Sequence, residues 1–236
     1  MKIGLVQYQS HGGDISKNIG GHLHWVEKAV SYGADIVVFP ELSISGYEPS
    51  LAKTLALEVN DTRLNHFRSS ADKNKIIIGI GAPIKESQDI YIGMILFHPN
   101  EERQIYYKKY LHEDEEPFFK CGKESTPLIR NTKISLAICY ELSVPEHRAR
   151  VVELNTEIYI ASVAKTKEGV KSASKRLAEI ARSHSIPTLM CNSTGPSEGF
   201  IGAGQSAIWD RNGELMTQLD ATTEDMIVYD STLKTH

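Results

Sequence analysis

Three apolar runs constrain the fold of this chain more than any other feature. Ile36-Val37-Val38-Phe39, residues 75–82 and Ile134–Ile138 place few polar residues at either of the two alternating positions of an extended strand. Such a strand needs an apolar layer against both faces, so an open sheet with one wet side is excluded. Two of the runs stop abruptly at residues that can do chemistry. The first ends at Pro40 and delivers Glu41; the last delivers Cys139 to a break made by Tyr140, Glu141 and Pro145. A thiol at the carboxyl end of a buried strand, just before a turn, is well placed to act on a ligand.

Helical and extended patterns are mixed along the rest of the chain. Residues 2–9 read as a strand. Asp14 or Ser16 can cap a helix running to about 31, with Ile15, Ile19, Leu23, Val26 and Val30 at helical spacing and Gly33 as its stop. Further helices are expected over 51–59, 63–73, 146–154 and 170–185, and strands over 89–98, 104–108, 132–139, 157–163, 187–192 and 226–230. A hairpin pairs 205–210 with 214–219 across Asn212-Gly213, a strong turn signal. No linker, repeat or low-complexity tract divides the chain, so residues 1–236 read as a single domain. Strands outnumber helices and several are joined as hairpins. A layered sandwich of sheets covered by helices fits that better than a simple doubly wound sheet.

Composition removes several function classes. The net charge of −4 leaves no electrostatic footprint for nucleic acid, and the basic stretch 165–176 reads as a solvated helix face. The three cysteines, Cys121, Cys139 and Cys191, include no C-x-x-C pair, which argues against a disulfide framework and for a reducing compartment. The first residues read as a strand rather than a signal peptide, and no apolar run approaches the ~20 residues that span a bilayer. A cytoplasmic protein away from membranes is expected. His22 and His24 face different sides of one helix, and Cys121 near His112 fits no metal spacing. Gly79 and Gly81 are followed by Ala82-Pro83 rather than a helix, so they form no dinucleotide loop. No G-x-S-x-G supports a serine hydrolase.

Glu41, Lys108 and Cys139 each stand at or just past the end of an expected strand. A cysteine nucleophile needs a base, a carboxylate can take and return its proton, and a lysine can stabilise both thiolate and oxyanion. Singly, each has a plainer reading: a core thiol, a solvated strand end, a lysine guarding an edge strand. The text around each one changes the balance. Phe39-Pro-Glu-Leu-Ser-Ile-Ser-Gly-Tyr47 resembles the first signature of the nitrilase superfamily of carbon–nitrogen hydrolases. Tyr106-Tyr-Lys-Lys-Tyr-Leu111, continuing through Glu115 to Phe118-Phe-Lys-Cys-Gly122, resembles the second, and Ile138-Cys-Tyr-Glu-Leu-Ser-Val-Pro-Glu146 the third. The three occur in the family's order, and Gly202 to Gly213 is similar to its late hairpin.

The resemblance implies an α/β fold, a four-layer αββα sandwich, and hydrolysis of a non-peptide C–N bond through a thioester. Carried over by motif, Glu41 is general base and acid, Lys108 the cation and Cys139 the nucleophile. Lys109, its side chain on the opposite face of the strand, is the solvated neighbour. Glu115 is the second glutamate of the site, and the backbone N–H of Tyr140 joins Lys108 in the oxyanion hole. Tyr47 and Ala164 are accessory residues near the substrate. No metal or organic cofactor is implied, and the partners are a small amide or N-carbamoyl compound and a second copy of the chain. The sequence departs from the family in three places. Tyr140 follows the nucleophile where true nitrilases carry tryptophan, which favours amides over nitriles. Ser143 replaces an arginine common in amidase-type members, and Val163-Ala164-Lys165 replaces a Pro-Ala type of segment. The last two lie near the family's pocket, so no one substrate carries over from a familiar subfamily such as ω-amide or N-carbamoyl hydrolysis. A glutaminase supplying ammonia to a synthetase is the rival enzyme reading, opposed by the lack of synthetase sequence within these residues. A binding protein that kept the fold is the non-catalytic rival, opposed by the intact triad.

Overall fold

The computed structural model describes residues 1–123 and 132–232; the last four residues of the expected domain lie outside that range. In chain order the elements are β1 (Lys2–Gln7), α1 (Ile15–Ser31), β2 (Ile36–Val38), α2 (Ala52–Leu55), β3 (Leu57–Glu58), α3 (Asn65–Asn74), β4 (Ile77–Glu86), β5 (Asp89–Phe97) and β6 (Gln104–Tyr107), followed by β7 (Ile134–Ile138), α4 (Pro145–Glu153), β8 (Ile158–Val163), α5 (Lys167–His184), β9 (Thr188–Asn192), β10 (Thr194–Ser197), β11 (Phe200–Ala203), β12 (Ala207–Trp209), β13 (Leu215–Gln218) and β14 (Asp225–Asp230).

Two sheets organise them. One runs β14-β1-β2-β4-β5-β6 with β3 added on β4, and the other runs β13-β12-β9-β8-β7. The apolar runs seen in the sequence are their central strands. Ile3, Leu5, Ile36 and Val38 from the first sheet pack with Leu136, Ile138, Ile160 and Leu189 from the second, forming a core between the sheets. The other face of the first sheet is covered by α1 and α3, through residues such as Trp25, Val26, Phe67 and Ala71. The second sheet's outer face is covered chiefly by α5, through Val170, Leu177 and Ile180. The result is the αββα order of layers. Each large aliphatic side chain buried in this way is worth about 1.5–3 kcal/mol, which is why strands with two apolar faces end up central.

The topology also fixes where a site can form. β1, β2 and β4 are parallel, and β6 returns to their direction because β4–β5 and β5–β6 are both antiparallel. β7, β8 and β9 are parallel to one another. Two side chains of the second sheet, Ser162 of β8 and Cys191 of β9, join it to the first sheet. The Ser162 hydroxyl donates to the Phe39 carbonyl at 2.9 Å, and the buried Cys191 thiol donates to the carbonyls of Val6 and Val38 at 3.1 and 3.2 Å.

Several local expectations are revised by tertiary contacts. The helix expected over 51–59 is a 3-10 turn at Pro49–Leu51, the four residues of α2, and then β3. Leu57 pairs with Ile84 of β4 and is fully buried, so sheet pairing overrides the helical spacing of its neighbours. α1 is capped by Asp14, whose carboxylate accepts from the Lys17 N–H. Its buried face is rotated from the expected one: Asn18 and His22 are fully buried, while Ile19, Leu23 and Val30 flank them. The two polar residues are inward because they hold the loop after β2, as described below. α5 starts at Lys167, capped by Thr166. The hairpin of β10 and β11 has no counterpart among the expected elements; its sequence is short and glycine-rich, with few strand-forming residues.

Candidate active site

Glu41 follows β2 in a tight turn. The turn lies directly against β4, where a Cβ on Gly81 would sit 2.3 Å from the Pro40 carbonyl oxygen and 2.5 Å from the Leu42 nitrogen. That close approach, rather than a nucleotide, accounts for the Gly79-x-Gly81 pattern; the Ile44 N–H also donates to the Gly81 carbonyl. From the other side His22 stacks on Phe39, with ring centroids 4.1 Å apart. Its ring nitrogens lie 2.7 Å from the Asn18 carbonyl and 2.9 Å from the Ser43 hydroxyl. Burial holds His22 far down, to about 3, so the ring is neutral.

Lys108 continues β6 by one residue, its N–H donating to the Ile92 carbonyl. The edge-strand lysine of the sequence is therefore fully buried. Its ammonium donates to Glu41 Oε1 at 2.7 Å and to Glu115 Oε1 at 2.6 Å. Gly122 packs on the backbone here; a Cβ would come within 2.4 Å of the Tyr107 Cβ. Glu115, in the acidic loop, is also buried. Tyr47 donates its hydroxyl to Glu115 Oε1 at 3.0 Å, and the His112 N–H donates to Oε2 at 2.8 Å. Of four neighbouring acids, this one has the partners of an internal group.

A buried cation between two carboxylates sets the electrostatics. Burial disfavours the charge on Lys108, but Glu41 and Glu115 outweigh it and its pKa rises. For Glu41 burial dominates, Lys108 opposes it, and the carboxyl is pushed up to about 7. Its second oxygen, Oε2, is buried without a hydrogen-bond partner. That oxygen can accept a proton.

Cys139 sits where β7 gives way to a 3-10 turn spanning Cys139–Ser143, so the strand ends one residue earlier than expected. Its φ of +44° is in the left-handed region that β-carbon residues avoid. Glu141 holds the turn: its buried carboxylate accepts from the Ile138 N–H at 2.8 Å, the Lys109 N–H at 2.7 Å and the Tyr106 hydroxyl at 2.7 Å. The Cys139 thiol donates to the Ala164 carbonyl at 3.8 Å. Burial and the charge of Glu41 raise its pKa, while Lys165 and Lys108 pull the other way, so the resting group is the thiol.

Cys139 opens into a cavity of about 560 Å3, with Tyr47, Glu115, Tyr140, Ala164 and Lys165 among its lining residues. All seven residues singled out in the sequence thus gather in one place: five line the cavity, and Glu41 and Lys108 are joined to it through Glu115. A protein with this set can take a proton from a thiol, offer a fixed cation and enclose a small molecule.

The family model described as carbon-nitrogen hydrolase matches residues 2–235. The chain belongs to the carbon–nitrogen hydrolase family. The hydrolase is 23% identical over 219 residues to an (R)-stereoselective amidase of a Pseudomonas species, covering 92% of this chain and 80% of that protein. It is 24% identical over 241 residues to a glutamine-dependent NAD(+) synthetase of Thermotoga maritima, covering 98% of this chain but only 42% of the synthetase. Among solved structures it matches an amidase from Nesterenkonia sp. AN1 with a TM-score of 0.87 at 22% identity, over 98% of this chain and 92% of that one. One structure of that amidase carries acrylamide added at its active-site cysteine. These likenesses agree with the nitrilase-type αββα fold expected of the hydrolase.

Three residues of the hydrolase's site were not legible as site residues. Glu141 reads in sequence as a break after a strand, yet it fixes the turn that carries the thiol. His22 reads as one of two histidines on a helix, yet it braces the Glu41 loop. Lys165 reads as the start of a solvated basic stretch, yet it faces the cavity. The first two act through contacts distant in sequence, and only the departure at Val163-Ala164-Lys165 hinted at the third.

Proposed function

We propose that this hydrolase cleaves a small non-peptide amide through a thioester on Cys139. The observation that carries the reading is the fully buried Lys108 ammonium held at 2.7 and 2.6 Å by Glu41 and Glu115 beside the Cys139 cavity. Glu41 takes the thiol proton onto its free oxygen as sulfur attacks the amide carbonyl. Lys108 and the backbone N–H of Tyr140 hold the oxyanion that develops. The tetrahedral intermediate collapses, the C–N bond breaks, and Glu41 returns the proton to the departing amine or ammonia. Glu41 then deprotonates water, which attacks the thioester; the C–S bond breaks, the acid leaves, and Glu41 returns the proton to the Cys139 sulfur. A carboxyl whose pKa stands near 7 suits both directions of transfer at neutral pH. Glu115 orients Lys108 and keeps its charge in place; Tyr47 in turn fixes Glu115. A cytoplasmic homodimer completes the proposal, and a monomer in sedimentation equilibrium would remove that part alone.

Ammonia release from a panel of aliphatic, ω- and N-carbamoyl amides tests the activity. Timed iodoacetamide labelling tests the nucleophile. Cys139 should react faster than Cys121 and Cys191, and Cys139→Ala should abolish turnover of every amide accepted. Full turnover by that variant, or a Cys139 no more reactive than the other two thiols, overturns the mechanism. Glutamine belongs in the panel as the second reading, favoured by alignment of 98% of this chain with a glutamine-dependent synthetase.

A further inference from the structure

The cavity beside Cys139 contains a cation that the mechanism does not use. Lys165 directly follows Ala164, whose carbonyl accepts from the Cys139 thiol, and both line the cavity. Its backbone is clamped. The Lys165 N–H donates to Asn192 Oδ1 at 2.9 Å, and its carbonyl accepts from the Ala203 N–H at 2.9 Å. Asn192 is itself fully buried and fixed, donating from Nδ2 to the Gly204 carbonyl at 2.7 Å. A backbone pinned from two strands delivers a long side chain to the same wall of the pocket each time. Among the described residues no carboxylate pairs with its ammonium, in contrast to Lys108.

The other charges facing the cavity are accounted for. Glu115 is neutralised by Lys108, Asp114 is almost fully exposed and lies 3.4 Å from His112, and Glu198 is exposed and accepts from the Ser50 N–H. The exposed acids are screened by water, whereas Lys165 is half-buried on the thiol's side. We propose that Lys165 is a specificity-determining residue that binds a carboxylate on the substrate, so that the preferred substrates are small linear amides bearing a second, anionic end. This rests on the amidase reading above and adds the substrate's charge to it. The same ammonium opposes the upward shift of the thiol's pKa. It therefore touches the rate as well as binding, and the test must separate the two.

Paired alkylating reagents do so without needing any turnover. Iodoacetate and iodoacetamide attack the same thiolate and differ in one charge. The ratio of their rates at Cys139, divided by the same ratio at the exposed Cys121, cancels thiol reactivity and reports local potential. We expect that quotient to favour iodoacetate by about tenfold at low salt. It should fall towards one in Lys165→Gln and persist in Lys165→Arg. A quotient near one in the unaltered protein, or one unchanged by Lys165→Gln, overturns the proposal. In parallel, the ratio of kcat/KM for succinamate over the neutral succinamide should exceed ten and collapse in Lys165→Gln. Turnover of both without charge preference sinks the Lys165 assignment and leaves the amidase reading standing. A tenfold quotient with no turnover of any amide does the reverse.

Discussion

At the scale of single residues, Glu41 decides how the site responds to pH. Burial, against the pull of Lys108, pushes its carboxyl up to about 7. In the proposed mechanism the base is the ionised form, so kcat/KM should fall about tenfold for each pH unit below 7 and level off above it, as a pH–rate profile will report. Glu41→Gln removes the base and should cost about 10^2–10^4 in kcat/KM while abolishing that limb. Glu115→Gln gives a sharper result. The charge of Glu115 is one of the influences that raise Glu41, so its removal should move the inflection to lower pH while kcat falls. A residue that merely filled space would leave the inflection in place. The motifs around Glu41, Lys108 and Cys139 made these residues visible in the sequence. The coupling among them was not visible, because the contacts of Lys108 with Glu41 and of Glu115 with Tyr47 join segments that local patterns treat separately.

At the scale of elements, the site depends on two turns that neighbouring strands support. Gly81 lets the Glu41 turn lie against β4, and its Cβ would collide with backbone atoms that cannot swing aside. Gly81→Ala should therefore destabilise the fold by about 1–3 kcal/mol, read from the urea midpoint, and displace Glu41 enough to slow turnover. The nucleophile turn is held by Glu141. Glu141→Ala removes the acceptor of the Ile138 and Lys109 N–H groups and of the Tyr106 hydroxyl, which keeps His147 Nε2 at 3.0 Å; the buried Ile138 N–H alone should cost about 1–3 kcal/mol. The positive φ of Cys139 should then relax, and its iodoacetamide labelling should slow relative to Cys121. The strands that carry these turns were readable from their uninterrupted apolar runs. The short α2–β3 segment and the β10–β11 hairpin were not, since partners far along the chain determine their conformation.

At the scale of the whole molecule, stability and the site share internal groups. His22 has its pKa lowered by burial to about 3, against 6.5 in an unfolded chain. A histidine kept neutral in the fold contributes stability that is present above 6.5 and lost as pH falls. Chemical denaturation should show a loss of about 1.4 kcal/mol per pH unit below 6.5 from this residue, and His22→Gln should flatten that limb. Cys191, buried where it bridges the two sheets, should resist thiol reagents until denaturant opens the core. The sequence by itself determined the layers and the candidate triad. Doubly apolar strands have few places to go except between two covers, and three ordered motifs point to the family and to the residues of a candidate triad. Only the tertiary structure decided that Lys108 is buried between two carboxylates, that Asn18 and His22 turn inward to brace a loop, and that Lys165 lines the cavity into which Cys139 opens. Each of those outcomes depends on which distant charge, carbonyl or ring a side chain meets, and the spacing of residues along a chain does not encode such a meeting.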